Sequence, residues 1–183
     1  MKYDVMMIDV SNLYHRGYHA GSHLTTVMED GSSMVTGGVF LSLKMIQRLE
    51  RDYLNPNGII YFLFDNCSSG IRKRQSIDPD YKSNRTKQDE AFYRSLDFFH
   101  LVLLNYKDNF VMVKKEGNEA DDLVESLVAL HADTSILLVS NDLDWFRVVS
   151  DSVHVAKYEQ KDYHIYDTKE FVDKYGFSPS GNN

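Results

Sequence analysis

At 183 residues, with 43% hydrophobic and 26% charged side chains, the chain has the balance of one soluble globular domain, which excludes a disordered or fibrous protein. Cys67 is the one cysteine, so an intrachain disulfide is excluded and a reducing, cytoplasmic setting is expected; no apolar run reaches membrane-spanning length, and Met1 leads into a strand-like run with no signal peptide ahead of it. The net charge of −7 argues against a uniformly basic nucleic-acid surface, yet Arg72, Lys73, Arg74, Lys82, Arg85 and Lys87 fall in one segment that holds only Asp78 and Asp80 as acids.

In chain order, Tyr3–Ile8 reads as a first strand ending at Asp9, with Ser11 and Asn12 as helix caps and a short helix or irregular turn over Leu13–Ala20. Gly21–Gly38 reads as loop. Phe40, Leu43, Ile46 and Leu49 then give the spacing of an amphipathic helix over Val39–Leu54, stopped by Asn55-Pro56-Asn57-Gly58. Ile59–Phe64 is a second strand, ending at Asp65. After the basic segment, Phe92, Leu96, Phe99 and Leu103 mark a helix over Asp89–Leu104, followed by a strand at Phe110–Val113 and a helix over Glu119–His131. Ser135–Val139 is a further strand, running into Ser140-Asn141-Asp142. Asp142–Val149 reads as a short helix, Val153–Ala156 and Tyr163–Tyr166 as strands, and Asp167 or Thr168 as the cap of a last helix to about Tyr175. Strands alternating with helices predict an α/β fold with a mostly parallel sheet.

The placement of the acids is the informative pattern. Asp9 and Asp65 end the first two strands, Glu119, Asp121 and Asp122 follow the third, and Asp142 and Asp144 follow the fourth. In an open parallel sheet, ligands bind outside the carboxyl ends of the strands. Any one of these acids is explained as a turn residue or helix cap. Seven together, without matching bases, form a self-repelling cluster that a divalent cation relieves, and carboxylate oxygens suit Mg²⁺ or Mn²⁺. Two such ions about 4 Å apart can clamp the attacking and leaving oxygens of a phosphodiester. On this reading Asp9, Asp65, Glu119 and Asp121 hold one ion, while Asp122, Asp142 and Asp144 serve the second or its waters. The histidines show no competing ligand set: His15 and His19 stand four apart without an evident third ligand. Trp145 and the methionines read as core.

Four motifs in order resemble the 5′–3′ exonuclease and flap endonuclease family, which includes the 5′ nuclease domain of bacterial DNA polymerase I. They are Ile8-Asp9-Val10-Ser11-Asn12-Leu13; Phe64-Asp65 followed by Arg72 and Pro79-Asp80-Tyr81-Lys82-Ser83-Asn84-Arg85; Gly117-Asn118-Glu119-Ala120-Asp121-Asp122; and Ser140-Asn141-Asp142-Leu143-Asp144. The resemblance implies a PIN-like (resolvase-like) domain over 1–177 with a helical arch over 66–94 and a polar tail over 178–183. It also implies two-metal cleavage of DNA, or of RNA primers in RNA/DNA hybrids, near a 5′ end or flap. It assigns the seven acids to metal binding, with Asp9 and Asp121 catalytic. Arg72 and Lys82 are placed at the scissile phosphate, and Tyr81 and Arg85 join them in binding nucleic acid. A cation such as Lys82 beside the phosphate would offset charge developing in the transition state.

Beyond Lys174-Tyr175-Gly176-Phe177-Ser178-Pro179 the family continues into further acids and a helix-hairpin-helix. The expectation is therefore either a nuclease or one subunit of a split nuclease that works with a separate helix-hairpin-helix polypeptide. A PIN-type ribonuclease would share the acid core.

Overall fold

The structure, a computed structural model, describes residues 1–65, 88–106 and 109–179. Six strands form one sheet in the order β5-β4-β1-β6-β7-β8. These are β1 (Tyr3–Asp9), β4 (Leu54–Leu63), β5 (Phe110–Val113), β6 (Ile136–Val139), β7 (Val153–Glu159) and β8 (Asp162–Tyr166). All neighbours run parallel except β7 and β8, which close one edge as an antiparallel hairpin. β1 and β6 are central and buried on both faces, which is why Val5-Met6-Met7-Ile8 and Ile136-Leu137-Leu138-Val139 read as continuous apolar runs rather than alternating ones.

The pleat sends successive residues to opposite faces and so builds two cores. On one face Met6, Ile8, Phe62 and Leu137 pack with Leu13 and Tyr14 of α1 (Val10–Gly21), Ile46 and Leu49 of α2 (Gly37–Tyr53), and Phe99 and Leu103 of α3 (Glu90–Leu103). On the other, Val5, Met7, Leu63 and Leu138 pack with Leu123 and Val124 of α4 (Ala120–Leu130), Trp145 and Phe146 of a 3-10 helix (Leu143–Val148), and Phe171 of α5 (Thr168–Tyr175). The result is three layers, helices on both faces of a mostly parallel sheet, as the alternation of elements predicts. Among the described residues no helix is long and apolar enough to cross a membrane.

Three details depart from the sequence reading. The loop assigned to Gly21–Gly38 contains an antiparallel hairpin, β2 (Thr25–Val27) with β3 (Ser33–Val35). Phe40 does not lie on the buried stripe of α2; it is exposed, while Ile46 and Leu49 are buried. Asn55-Pro56-Asn57-Gly58 ends α2 but also begins β4 as an irregular stretch, the register stepping from Tyr3↔Leu54 to Val5↔Ile59.

α1 and α2 approach closely enough that side chains are excluded between them. A methyl group at Gly17 would lie 2.3 Å from Ser42 Oγ and 3.0 Å from the Gly38 carbonyl oxygen. This contact fixes α1, and with it the carboxyl end of β1, against the rest of its layer.

From β1 the chain builds outward through β4 to β5, then returns to the other side of β1 for β6 and β7. The strand order therefore reverses at β1/β6, and the crevice beyond the carboxyl ends of these two strands is where open α/β sheets bind ligands.

Candidate active site

Asp9 is the last residue of β1 and also the N-cap of α1. Its Oδ1 accepts from the Asn12 amide (2.9 Å) and its Oδ2 from the Ser140 hydroxyl (2.8 Å). Asp9, not Ser11 or Asn12, caps the helix, because Val10 is already helical. Only 8% of Asp9 is exposed. Burial is the main cause that pushes its carboxyl up to about 7, and the charges of Asp65 and Asp142 add to it; the hydrogen bonds from Asn12 and Ser140 pull the other way without cancelling the effect.

Ser140, following β6, ties two acids together. Besides donating to Asp9, its Oγ accepts from the Asp142 amide (3.0 Å). Asn141 locks this turn to β7 by exchanging hydrogen bonds with the Tyr158 backbone, and its own amide donates to Asn12 Oδ1 (3.3 Å). Asp142 then caps the 3-10 helix by accepting from the Asp144 amide (3.0 Å).

The third group gathers at the start of α4. Asp65, just after β4, accepts from the Ala120 amide (2.9 Å). Glu119 is buried at the N-cap, in a reciprocal capping box with Asp122, whose Oδ2 accepts from the Glu119 amide (2.9 Å). Asp121 Oδ1 accepts from the Asp122 amide (3.1 Å). The positive end of the α4 dipole faces these acids, which eases their mutual repulsion.

A cleft of about 440 Å³ is lined by Asp9, Asp65, Glu119, Asp121 and Asp142, together with Ser11, Asn12, His15, Gln88, Ala120 and Trp145. Five of the seven acids singled out in the sequence thus share one cleft. The other two do not line it: Asp122 is turned into the capping box, and Asp144 pairs with Arg147 (2.8 Å) on the exposed side of the 3-10 helix. Arg72, Tyr81, Lys82 and Arg85 lie outside the described residues.

The donor set is all carboxylate oxygen, the chemistry that suits a hard divalent cation, and Asp9 is a buried acid whose charge the fold leaves poorly compensated. Among the described residues no three His, Cys, Asp or Glu side chains are already gathered closely enough to hold an ion. Like charges keep the carboxylates apart, and the acids meanwhile accept from backbone amides and the Ser140 hydroxyl. The residues fit a metal by chemistry and by common placement, and rotation of the side chains from their caps would be needed to close the shell.

Sequence reasoning passed over two residues here. Ser140 was visible as part of a strand-end motif, but its bridge between Asp9 and Asp142 depends on pairing β6 with β1. Arg16 of α1 gave no signal. Its guanidinium carbon stands 4.3 Å from the Tyr158 ring centroid and 5.4 Å from that of Tyr163, with Nε and Nη1 buried and without a hydrogen-bond partner among the described residues. Desolvation lowers its proton affinity, while the two tyrosines and Asp9 act in the opposite sense. Arg16 is thus a cation held on aromatic faces, with its field reaching Asp9.

Comparison with known proteins agrees with this architecture. Residues 4–176 match the family model described as 5′-3′ exonuclease, N-terminal resolvase-like domain. The chain is 25% identical over 178 residues to DNA polymerase I of Caldicellulosiruptor bescii, covering 94% of this chain and 20% of that protein. It is 28% identical over 184 residues to flap endonuclease Xni of Vibrio campbellii, covering 98% of this chain and 65% of that one. Among solved structures, the T5 5′-exonuclease with zinc bound aligns with a TM-score of 0.64 at 20% identity, over 94% of this chain and 60% of that one. The bacteriophage T5 flap endonuclease in a complex with DNA and metal ions aligns at 0.65 and 18% identity, with the same coverage. At these identities the structures establish a shared fold. The chain spans from a fifth to about two thirds of the length of these relatives. With a family model matched along nearly its whole length, the chain belongs to the 5′-3′ exonuclease N-terminal resolvase-like domain family.

Proposed function

We propose that this chain hydrolyses phosphodiester bonds of DNA near a 5′ end or flap, using divalent cations, Mg²⁺ or Mn²⁺, held by its strand-end carboxylates. The observation that carries the reading is the single cleft at the strand-order reversal, into which β1, β4, β6 and the first turn of α4 deliver Asp9, Asp65, Asp142, Glu119 and Asp121. That T5 relatives were solved with metal ions, and one with DNA, supports the same reading.

Asp9, Asp65, Glu119 and Asp121 would hold one ion; Asp142 would serve a second, joined by Asp122 and Asp144 if their side chains turn from their present partners. Bound metal would supply charge neutralisation at the phosphate and lower the pKa of an attacking water. The chain's own residues orient the acids. Ser140 and the Asn12 amide aim Asp9, the Ala120 amide aims Asp65, and the α4 N-terminus offsets part of the negative charge. Arg72 and Lys82 would meet the scissile phosphate, with Tyr81 stacking on a base and Arg85 adding a phosphate contact.

The test is cleavage of a 5′-flap duplex by purified protein with Mg²⁺, alone and with a helix-hairpin-helix polypeptide from a relative supplied in trans. Cleavage that Asp121→Asn and Asp65→Asn abolish, with folding intact, is expected. No cleavage in either format with Mg²⁺ or Mn²⁺ removes the catalytic claim.

A further inference from the structure

His15 and His19 stand one turn apart on α1, with ring centroids 4.8 Å apart and planes inclined at 45°. Two imidazole nitrogens bound to one tetrahedral ion at about 2.0–2.1 Å put their ring centroids roughly 5 Å apart, so the two rings are near enough to share an ion once each turns a nitrogen towards it. Both rings are held by neighbours. The His15 ring lies 5.0 Å from the buried Phe92 ring of α3, and His19 meets the edge of Tyr18 at 5.9 Å. His19 is exposed, whereas His15 is half-buried and lines the cleft beside the carboxylates. The acids of that cleft favour any cation that arrives.

We propose that His15 and His19 form a two-histidine site for a borderline divalent transition ion, Zn²⁺, Ni²⁺ or Cu²⁺, chemically distinct from the carboxylate centre. Imidazole nitrogen selects such ions, whereas Mg²⁺ requires hard oxygen ligands. Water completes the shell. The site gives the protein a response to transition metal that excess Mg²⁺ does not compete away. The proposal does not depend on the nuclease reading, because the pair binds whether or not the cleft cuts DNA.

The experiment uses the full chain without an affinity tag and with Cys67→Ser, so that neither a tag nor the one thiol contributes. Zn²⁺ and Ni²⁺ are titrated against a chromophoric chelator in excess Mg²⁺, and again with Asp65→Asn and Asp121→Asn to disable the carboxylate centre. One ion is expected to bind in both backgrounds, weakened at least about tenfold by His19→Gln and left unchanged by His164→Gln, an exposed histidine elsewhere. Because His19 is exposed, His19→Gln should retain the parent's melting temperature, which a thermal scan confirms. Binding that His19→Gln leaves intact, or that vanishes with the two Asp→Asn changes alone, overturns the proposal.

Discussion

Replacing Asp9 by Asn should separate stability from function. With metal chelated, the folded Asp9 carboxyl titrates at about 7 against an ordinary value of 3.8, chiefly because it is buried. A folded value above the unfolded one means that, between roughly pH 4 and pH 7, the folded state keeps a proton that the unfolded chain has released. Stability from this group is therefore complete below that window and declines as pH rises through it, by about 4 kcal/mol in all at about 1.4 kcal/mol per unit. The introduced carboxamide would keep an oxygen for the Asn12 amide, but its NH₂ would face the Ser140 hydroxyl, and the rearranged hydrogen bond costs about 1 kcal/mol. A net gain of about 2–3 kcal/mol at pH 8 follows, worth roughly 4–12 °C in melting temperature for a domain of this size. The assay is urea or thermal unfolding in chelator from pH 4.5 to 8, comparing Asp9→Asn with the parent. The gap should open as pH rises, while nuclease activity is lost. Equal or lower stability of the variant at pH 8, with an unchanged pH slope, would refute the argument that burial leaves Asp9 poorly compensated.

Three further outcomes are expected. Mg²⁺ should raise the melting temperature of the parent at pH 8, by an amount that grows with its concentration, and should have little effect on Asp9→Asn; equal shifts in both would place the ion elsewhere. Gly17→Ala forces a methyl against Ser42 Oγ and the Gly38 carbonyl and should cost about 1–3 kcal/mol by denaturant unfolding, with Ser42→Gly recovering part of the loss. Ser95 Oγ accepts from Tyr14 Oη (2.6 Å) and donates to the Val35 carbonyl (2.5 Å), so Ser95→Ala orphans the buried Tyr14 hydroxyl of α1 and the part-buried Val35 carbonyl of β3 and should destabilise by about 1–3 kcal/mol; Tyr14→Phe in the same chain should then add little.

The fold was legible where a short apolar run between turn signals marks a strand. Phe110–Val113 is bounded as read, and the apolar runs of β1 and β6 were read as strands; that they are central, with both faces covered, is set by the sheet order. The β2–β3 hairpin was not legible. Its strands are three residues each and mostly exposed, so they carry no alternation, and the hairpin is tied down by the Leu24 carbonyl, which accepts from the Thr36 and Gly37 amides. Of the candidate site, the acids were visible because they cluster at predicted strand ends. The Ser140 bridge and the Arg16 platform were not, since their partners lie 131 or more residues away and become neighbours only through the sheet order. Side-chain direction was also out of reach. That Asp122 turns into a cap and Asp144 towards Arg147 depends on local hydrogen bonding which spacing does not encode.

The acids at this site hold two jobs. Asp9 closes the start of α1, Glu119 that of α4, and Asp142 that of the 3-10 helix; the last two are held by capping alone, whereas burial makes the charge of Asp9 costly with no ligand. In a lineage that had lost the chemistry, Asp9 would drift to a neutral cap, while Glu119 and Asp142 would be erased slowly, because helix capping goes on favouring them. Their persistence in a distant sequence is accordingly weak testimony that the descendant still cuts DNA. Asp65 and Asp121, neither of which is a helix N-cap, and Asp9, whose charge burial disfavours, are the positions whose loss or retention would date the change.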